Sequence, residues 1–360
     1  MNDFVRQFLN DDWKSMPDAP RLYLSAFGKH PGWNDHMDVI GLVTDSLVRG
    51  KALLYDGIAH QVESAAWEKA GAGKVTPGFD HIIHWRRLHE SLTGLMWSSR
   101  DGKGRSLYPM VLLAHCAGQP FAWQAGELLP ALREAGEKCR ATNSSSTVLA
   151  VLDAAQKSLR ERAPAQPAAT QLDSPVGLPA WTAHFAREFT ALRRVLHHLR
   201  SNCVAFAPVG HAWCGDSKHA QSVRLRLPAV PGQSPAESLN AWLSFLATQI
   251  DPAAPMLGLH PQNQPWLDVI IGEPGPADLV VLRTLPVATP VISDIPYQMD
   301  AQPSAFESGV LSNLGRGALP ATSCLVEAAG EMNRQESIKW LSKFRANFLT
   351  RLLRSTGSPF

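Results

Sequence analysis

Lys29, Asp35 and His36 lie close together in the segment Phe27-Gly28-Lys29-His30-Pro31-Gly32-Trp33-Asn34-Asp35-His36. A lysine, a carboxylate and an imidazole on one short loop can form an ion pair, grip an anion or pass a proton. Asp35 beside His36 is the pair best suited to acid–base work. The two glycines let the backbone approach a ligand closely, and a helix that follows would favour anions at its N-terminus. Trp33 sits in this polar setting either as an exposed anchor for a partner or as a side chain folded back onto a sheet. A second polar stretch, Gly102-Lys103-Gly104-Arg105, offers backbone amides and two cations that could hold a phosphate or carboxylate; its plainer reading is a solvated hairpin tip. The candidate binding residues are therefore Lys29, Trp33, Asp35, His36, Lys103 and Arg105.

No completed catalytic motif surrounds them. The chain has no Gly-x-Ser-x-Gly elbow, no His-Glu-x-x-His pair and no dinucleotide fingerprint after a strand. Gly71-Ala72-Gly73-Lys74-Val75-Thr76 lacks the earlier glycine of a phosphate-binding loop and follows a helical pattern, so it reads as a helix terminator. Asp35, Asp38 and Asp101 could form a carboxylate cluster, although aspartates in turns more often bond their own backbone. His81, His84 and His89 have no zinc spacing, and strand alternation puts His81 and His84 on opposite faces, so they read as surface or hydrogen-bonded side chains. Cys203, His211, Cys214 and His219 match no compact zinc module either. The sequence thus assigns no catalytic residue, no metal and no cofactor, and points away from an enzyme.

Periodicity supplies the elements that must position the two loops. A strand over 22–27 precedes the first loop, and a helix over about 45–69 follows it. Strands at 79–85, 91–97 and 108–115 form an antiparallel meander, with the second loop between the last two. Helices over 121–140 and 145–162 complete an N-terminal unit, 1–162. A Pro-, Ala- and Gln-rich stretch, 163–179, reads as a linker. The remainder, 180–360, reads as a second α+β domain: a helix at 181–200, a strand at 222–227, a helix at 236–250, strands at 256–259, 267–271 and 279–285, and a basic helix at 338–353. The fold class is α+β, an antiparallel sheet flanked by helices. Strand, helix and further strands recur in the same order in both halves, by duplication or by chance.

The 360 residues, 45% of them hydrophobic and 18% charged, suit a soluble globular chain with a large core. A net charge of +2 gives no field that would draw nucleic acid. Five widely spaced cysteines fit a reducing compartment. No segment has about 18 uninterrupted apolar residues, and residues 1–13 lack the basic and apolar blocks of a leader, so a cytoplasmic protein without a transmembrane segment is expected.

The run Phe27-Gly28-Lys29-His30-Pro31 continuing to Asp35, followed by Gly104-Arg105 and Tyr108-Pro109, resembles the ImpM/TagF-like family of bacterial type VI secretion-associated proteins. The resemblance covers about the first third of the chain. It departs from the family pattern at Gly32-Trp33-Asn34-Asp35-His36 and in the spacing after Arg105. It implies a cytoplasmic, non-enzymatic accessory or regulatory protein whose polar loops meet a protein partner, a component of the secretion system. The competing expectation is a phospho-ligand binder or enzyme that gathers Lys29, Asp35, His36, Lys103 and Arg105 around one pocket.

Overall fold

Strand alternation decides how this chain layers. In β1 (Arg21–Phe27), Leu22, Leu24 and Ala26 point to one side and Tyr23, Ser25 and Phe27 to the other, and both sets meet helices. A computed structural model of the chain describes residues 21–37, 40–63, 78–85, 90–165, 193–198, 222–230, 232–250, 254–262, 264–275, 278–279 and 308. Within these, helix α1 (Asp45–Glu63) follows β1, and strands β2 (Phe79–Trp85), β3 (Glu90–Trp97) and β4 (Met110–Ala117) come next. A helical rod then runs from Phe121 through a π-helical stretch, Gln124–Leu128, into α2 (Leu129–Arg140), and α3 (Ser145–Arg162) packs beside it. The later part adds β5 (Ser222–Pro228), α4 (Pro235–Gln249), β6 (Met256–Pro261) and β7 (Trp266–Gly272).

The antiparallel α+β architecture agrees with the sequence reading. The strand order is β1-β4-β3-β2-β6-β7-β5 in one seven-stranded sheet, and every pairing is antiparallel. The expected second unit has no separate sheet: β6 pairs with β2 from Phe79 opposite Pro261 to His84 opposite Met256, so the strands of both halves are continuous. The residues expected as a linker fall almost wholly outside the described residues, as do the strand expected at 279–285 beyond Leu279 and the basic helix at 338–353.

Helices cover both faces, which is why β4 is buried at every position instead of alternating. On one face, Leu95, Leu112 and Ala114 pack with Leu128, Leu132 and Leu152, and farther along Leu225, Val269 and Ile271 pack with Leu239, Trp242 and Leu246 of α4. On the other, Leu47, Leu54 and Ile58 of α1 pack on Phe79, Ile83, Val111 and Leu257. Thus α1 and α4, each the helix after the first strand of its half, lie on opposite faces. The repeated order of elements therefore does not carry over into a repeated arrangement.

Three local devices shape the sheet. Pro109 has no N–H to give a ladder, and β4 begins at Met110, two residues after the expected start. Gln124 opens the π-helical stretch and its Oε1 accepts from both Ser91 Oγ (2.6 Å) and Thr93 Oγ1 (2.7 Å), so the rod expected as a plain helix carries a local distortion where it bonds the sheet. At the β1 edge, Leu24 N–H donates to Gln156 Oε1 and the Leu22 carbonyl accepts from Arg160 Nε, both at 3.0 Å, while Ala26 exchanges backbone bonds with Ile40.

His81 and His84 do point to opposite faces, but His81 corrects the expectation that these histidines are exposed or hydrogen-bonded. It is fully buried with no partner at either ring nitrogen. Gly94 stands opposite it, and a Cβ there would come 2.7 Å from His81 Nε2, so the glycine makes room for the ring. Burial pushes the imidazole pKa down from 6.5 to about 3. The unfolded chain takes up this proton first, so the stability it contributes is whole above pH 6.5 and is lost as pH falls from there toward 3. Urea unfolding is expected to give about 2 kcal/mol less stability at pH 5 than at pH 7 from this residue. His81→Leu should remove that part of the slope.

Candidate functional site

The first loop begins where β1 stops. Gly28 takes φ +125°, and a Cβ there would collide with the Pro109 carbonyl, so only glycine lets the two motif segments touch. Its own carbonyl accepts from Met37 N–H at 2.9 Å, and Lys29 bridges His36, which closes the loop on itself. His30 is buried within it: Nδ1 accepts from Gly32 N–H at 3.0 Å, so Nε2 carries the proton and donates to the Cys139 carbonyl of α2 at 2.9 Å. Trp33 is half-buried, packs edge-on against His30 and joins the core patch under α2 and α3. Of its two readings, packing on the body of the protein is the geometry present.

The second loop folds around Asp101. Its Oδ1 accepts from both Lys103 N–H and Arg105 N–H at 3.0 Å, its carbonyl accepts from Gly104 N–H, and Gly102 N–H reaches across to the Trp33 carbonyl at 2.6 Å. The amides expected to cradle an external anion are thus turned on the loop's own carboxylate. Lys103 is exposed and enters this arrangement through its backbone.

The two loops lock through charge. Lys29, buried to 4% exposure, donates from Nζ to Asp35 Oδ1 at 2.7 Å and to Asp101 Oδ2 at 3.0 Å. Arg105 bonds Asp101 Oδ2 through Nε at 2.8 Å, faces Asp35 Oδ1 at 3.1 Å, and donates to the Asn34 carbonyl at 2.9 Å. The Lys29 hydrogen bond, the His36 N–H and the nearby Arg105 hold the Asp35 carboxyl well below the usual carboxylate range, despite some burial. For Asp101, burial acts upward, but hydrogen bonds from Arg105, Lys29 and Lys103 outweigh it and hold the group ionised. Two cations and two carboxylates leave the network near neutrality. An anion would have to displace a carboxylate to reach Lys29.

The outer rim carries His36, whose Nδ1 lies 3.4 Å from Asp35. Burial and the nearby Lys29 lower its pKa, against the pull of Asp35, so the ring is neutral at neutral pH. Its ring centroid lies 5.1 Å from Tyr108; Tyr108 lies 5.0 Å from Tyr55, and Tyr55 meets Phe27 edge-on at 5.2 Å. Five of the six expected residues therefore converge, four by side chain and Lys103 by backbone, while Trp33 braces the loop from within. Three contributors, Asp101, Tyr55 and Tyr108, were not among the six. Asp101 is the shared anchor, and a Gly-Lys-Gly-Arg run after an aspartate is the signal for such a self-bonded turn. Tyr55 comes from the α1 pattern and had no local cue.

Among the described residues no helix is long and apolar enough to cross a membrane. No protein-family model matches the chain, and no curated protein matches it. Among solved structures, the crystal structure of PA0076 from Pseudomonas aeruginosa PAO1 is similar over 76% of this chain and 100% of that one, at 16% identity and a TM-score of 0.39.

Proposed function

We propose that this chain is a cytoplasmic accessory or regulatory protein of a bacterial type VI secretion system, and that it acts through protein–protein contacts of the rim formed by Asp35, His36, Lys103, Arg105 and Tyr108. The observation that carries the reading is the meeting of the two segments that bear the resemblance, where Arg105 reaches Asp35 and the Asn34 carbonyl and shares Asp101 with Lys29 in one ion-paired network. Internal neutralisation of Lys29 and Arg105 favours a rigid recognition surface over an anion-binding or catalytic pocket. A preorganised rim of polar tips and aromatic rings suits a protein partner, because little ordering entropy is lost on contact.

The test uses tagged protein recovered from its native cell. The double variant Lys103→Glu/His36→Ala alters the exposed rim and leaves the Lys29–Asp101 contact in place. Recovery of secretion-system components is expected to fall at least about tenfold, with thermal stability held within a few degrees. Absence of such components from the wild-type sample, or equal recovery with the variant, would overturn the proposal.

A further inference from the structure

On the sheet face away from α1, the helical rod and α4 touch at Leu129 and Ala236. The wedge between them is a cavity of about 240 Å³ lined by Leu95, Arg133, Glu137, Arg140, Pro235 and Gln262. It lies over the β2–β6 seam, where Asp80 stands opposite His260, both buried. Arg133 reaches down to Asp80: Nε donates to Oδ1 at 3.2 Å and Nη2 pairs with Oδ2. That fully buried carboxylate fixes one edge of the Arg133 fork.

Arg140, two turns farther along α2, is held differently. Its guanidinium lies over the Trp97 ring at 4.7 Å, and among the described residues no carboxylate stands within ion-pair distance of it. Arg140 is exposed, so its charge stands at the open mouth of the wedge, where Glu137 and Asp80 act on it without an ion pair. The aromatic plane leaves the edge of the guanidinium free to donate.

We propose that this wedge binds a small oxyanion, a carboxylate or phosphate group, between the guanidinium groups of Arg140 and Arg133, with the Gln262 amide as a further donor. Asp80 is consumed by Arg133, so the opposing charge at the mouth is that of Glu137. The site lies apart from the Lys29–Asp101 network, and its outcome is independent of the partner role proposed above.

The test is calorimetric titration of the full chain at low ionic strength, where screening is weak, with inorganic phosphate in one arm and succinate in the other. Saturable binding in either arm is expected, weakened about tenfold or more by Arg140→Gln and strengthened by Glu137→Gln. A response confined to phosphate identifies a phosphoryl ligand, and one confined to succinate a carboxylate. The proposal fails if neither anion binds, or if Arg140→Gln binds as the wild type does while its unfolding temperature shows an intact fold.

Discussion

Arg226→Met is expected to lower the unfolding free energy by about 3–5 kcal/mol, because it strands a carboxylate inside the protein. Arg226 and Asp268 stand directly opposite each other on β5 and β7, and each side chain is 1% exposed. They bond bidentately at 2.9 and 2.8 Å, and the guanidinium lies 3.6 Å over the Trp266 ring. Burial raises the Asp268 pKa even with Arg226 in place, so the carboxylate is already costly. Methionine replaces the bulk of arginine but not its charge. The double variant Arg226→Met/Asp268→Leu should regain most of the loss, since a well-packed apolar pair is often as stable as a buried ion pair. Urea unfolding of the wild type, Arg226→Met, Asp268→Leu and the double variant checks this, and equal stability of Arg226→Met and wild type would show the pair to be dispensable.

Lys29→Met is the second large effect, at roughly 3 kcal/mol, the lower end of the range for breaking a buried pair. The loss is smaller because Arg105 and two backbone amides still hold Asp101 after the lysine is gone. The consequence is local as well as global. Without Lys29 the two loops keep the Arg105 contacts and the single backbone bond from Gly102 to Trp33. Amide hydrogen exchange should quicken at Met37 and Gly102 well before it does in β4. Unchanged protection at those two amides in Lys29→Met would mean the ion pairs do not bind the loops together.

Much of this arrangement was legible in residue order. The strands at 79–85 and 222–227 and the helix at 145–162 match within a residue, because alternation and helical spacing are local properties. The single sheet was not legible. Whether β6 continues the first meander or starts another depends on Gly258 facing Ile82 across the seam, a choice made by packing that leaves no local trace. The pairing of Lys29 with Asp101 was half legible: each loop announced its polarity, but the near neutrality of the network follows from distances that spacing cannot give. The setting of His81 was not legible for a related reason, since an imidazole between Phe79 and Ile83 on one strand face reads the same whether or not it finds a partner.

The cap that Gln156 and Arg160 place on β1 has a consequence for how this protein can associate. Strand addition needs a row of open N–H and C=O groups, and a bare edge is also the template on which chains stack end to end. Here Leu22 spends its carbonyl and Leu24 its N–H on α3, and Ala26 spends both of its groups on Ile40. A peptide could lie along β1 only by first lifting α3 away. The β1 side of the sheet is therefore sealed against fibre-like growth, and a partner that reaches the nearby loops meets side chains and turns.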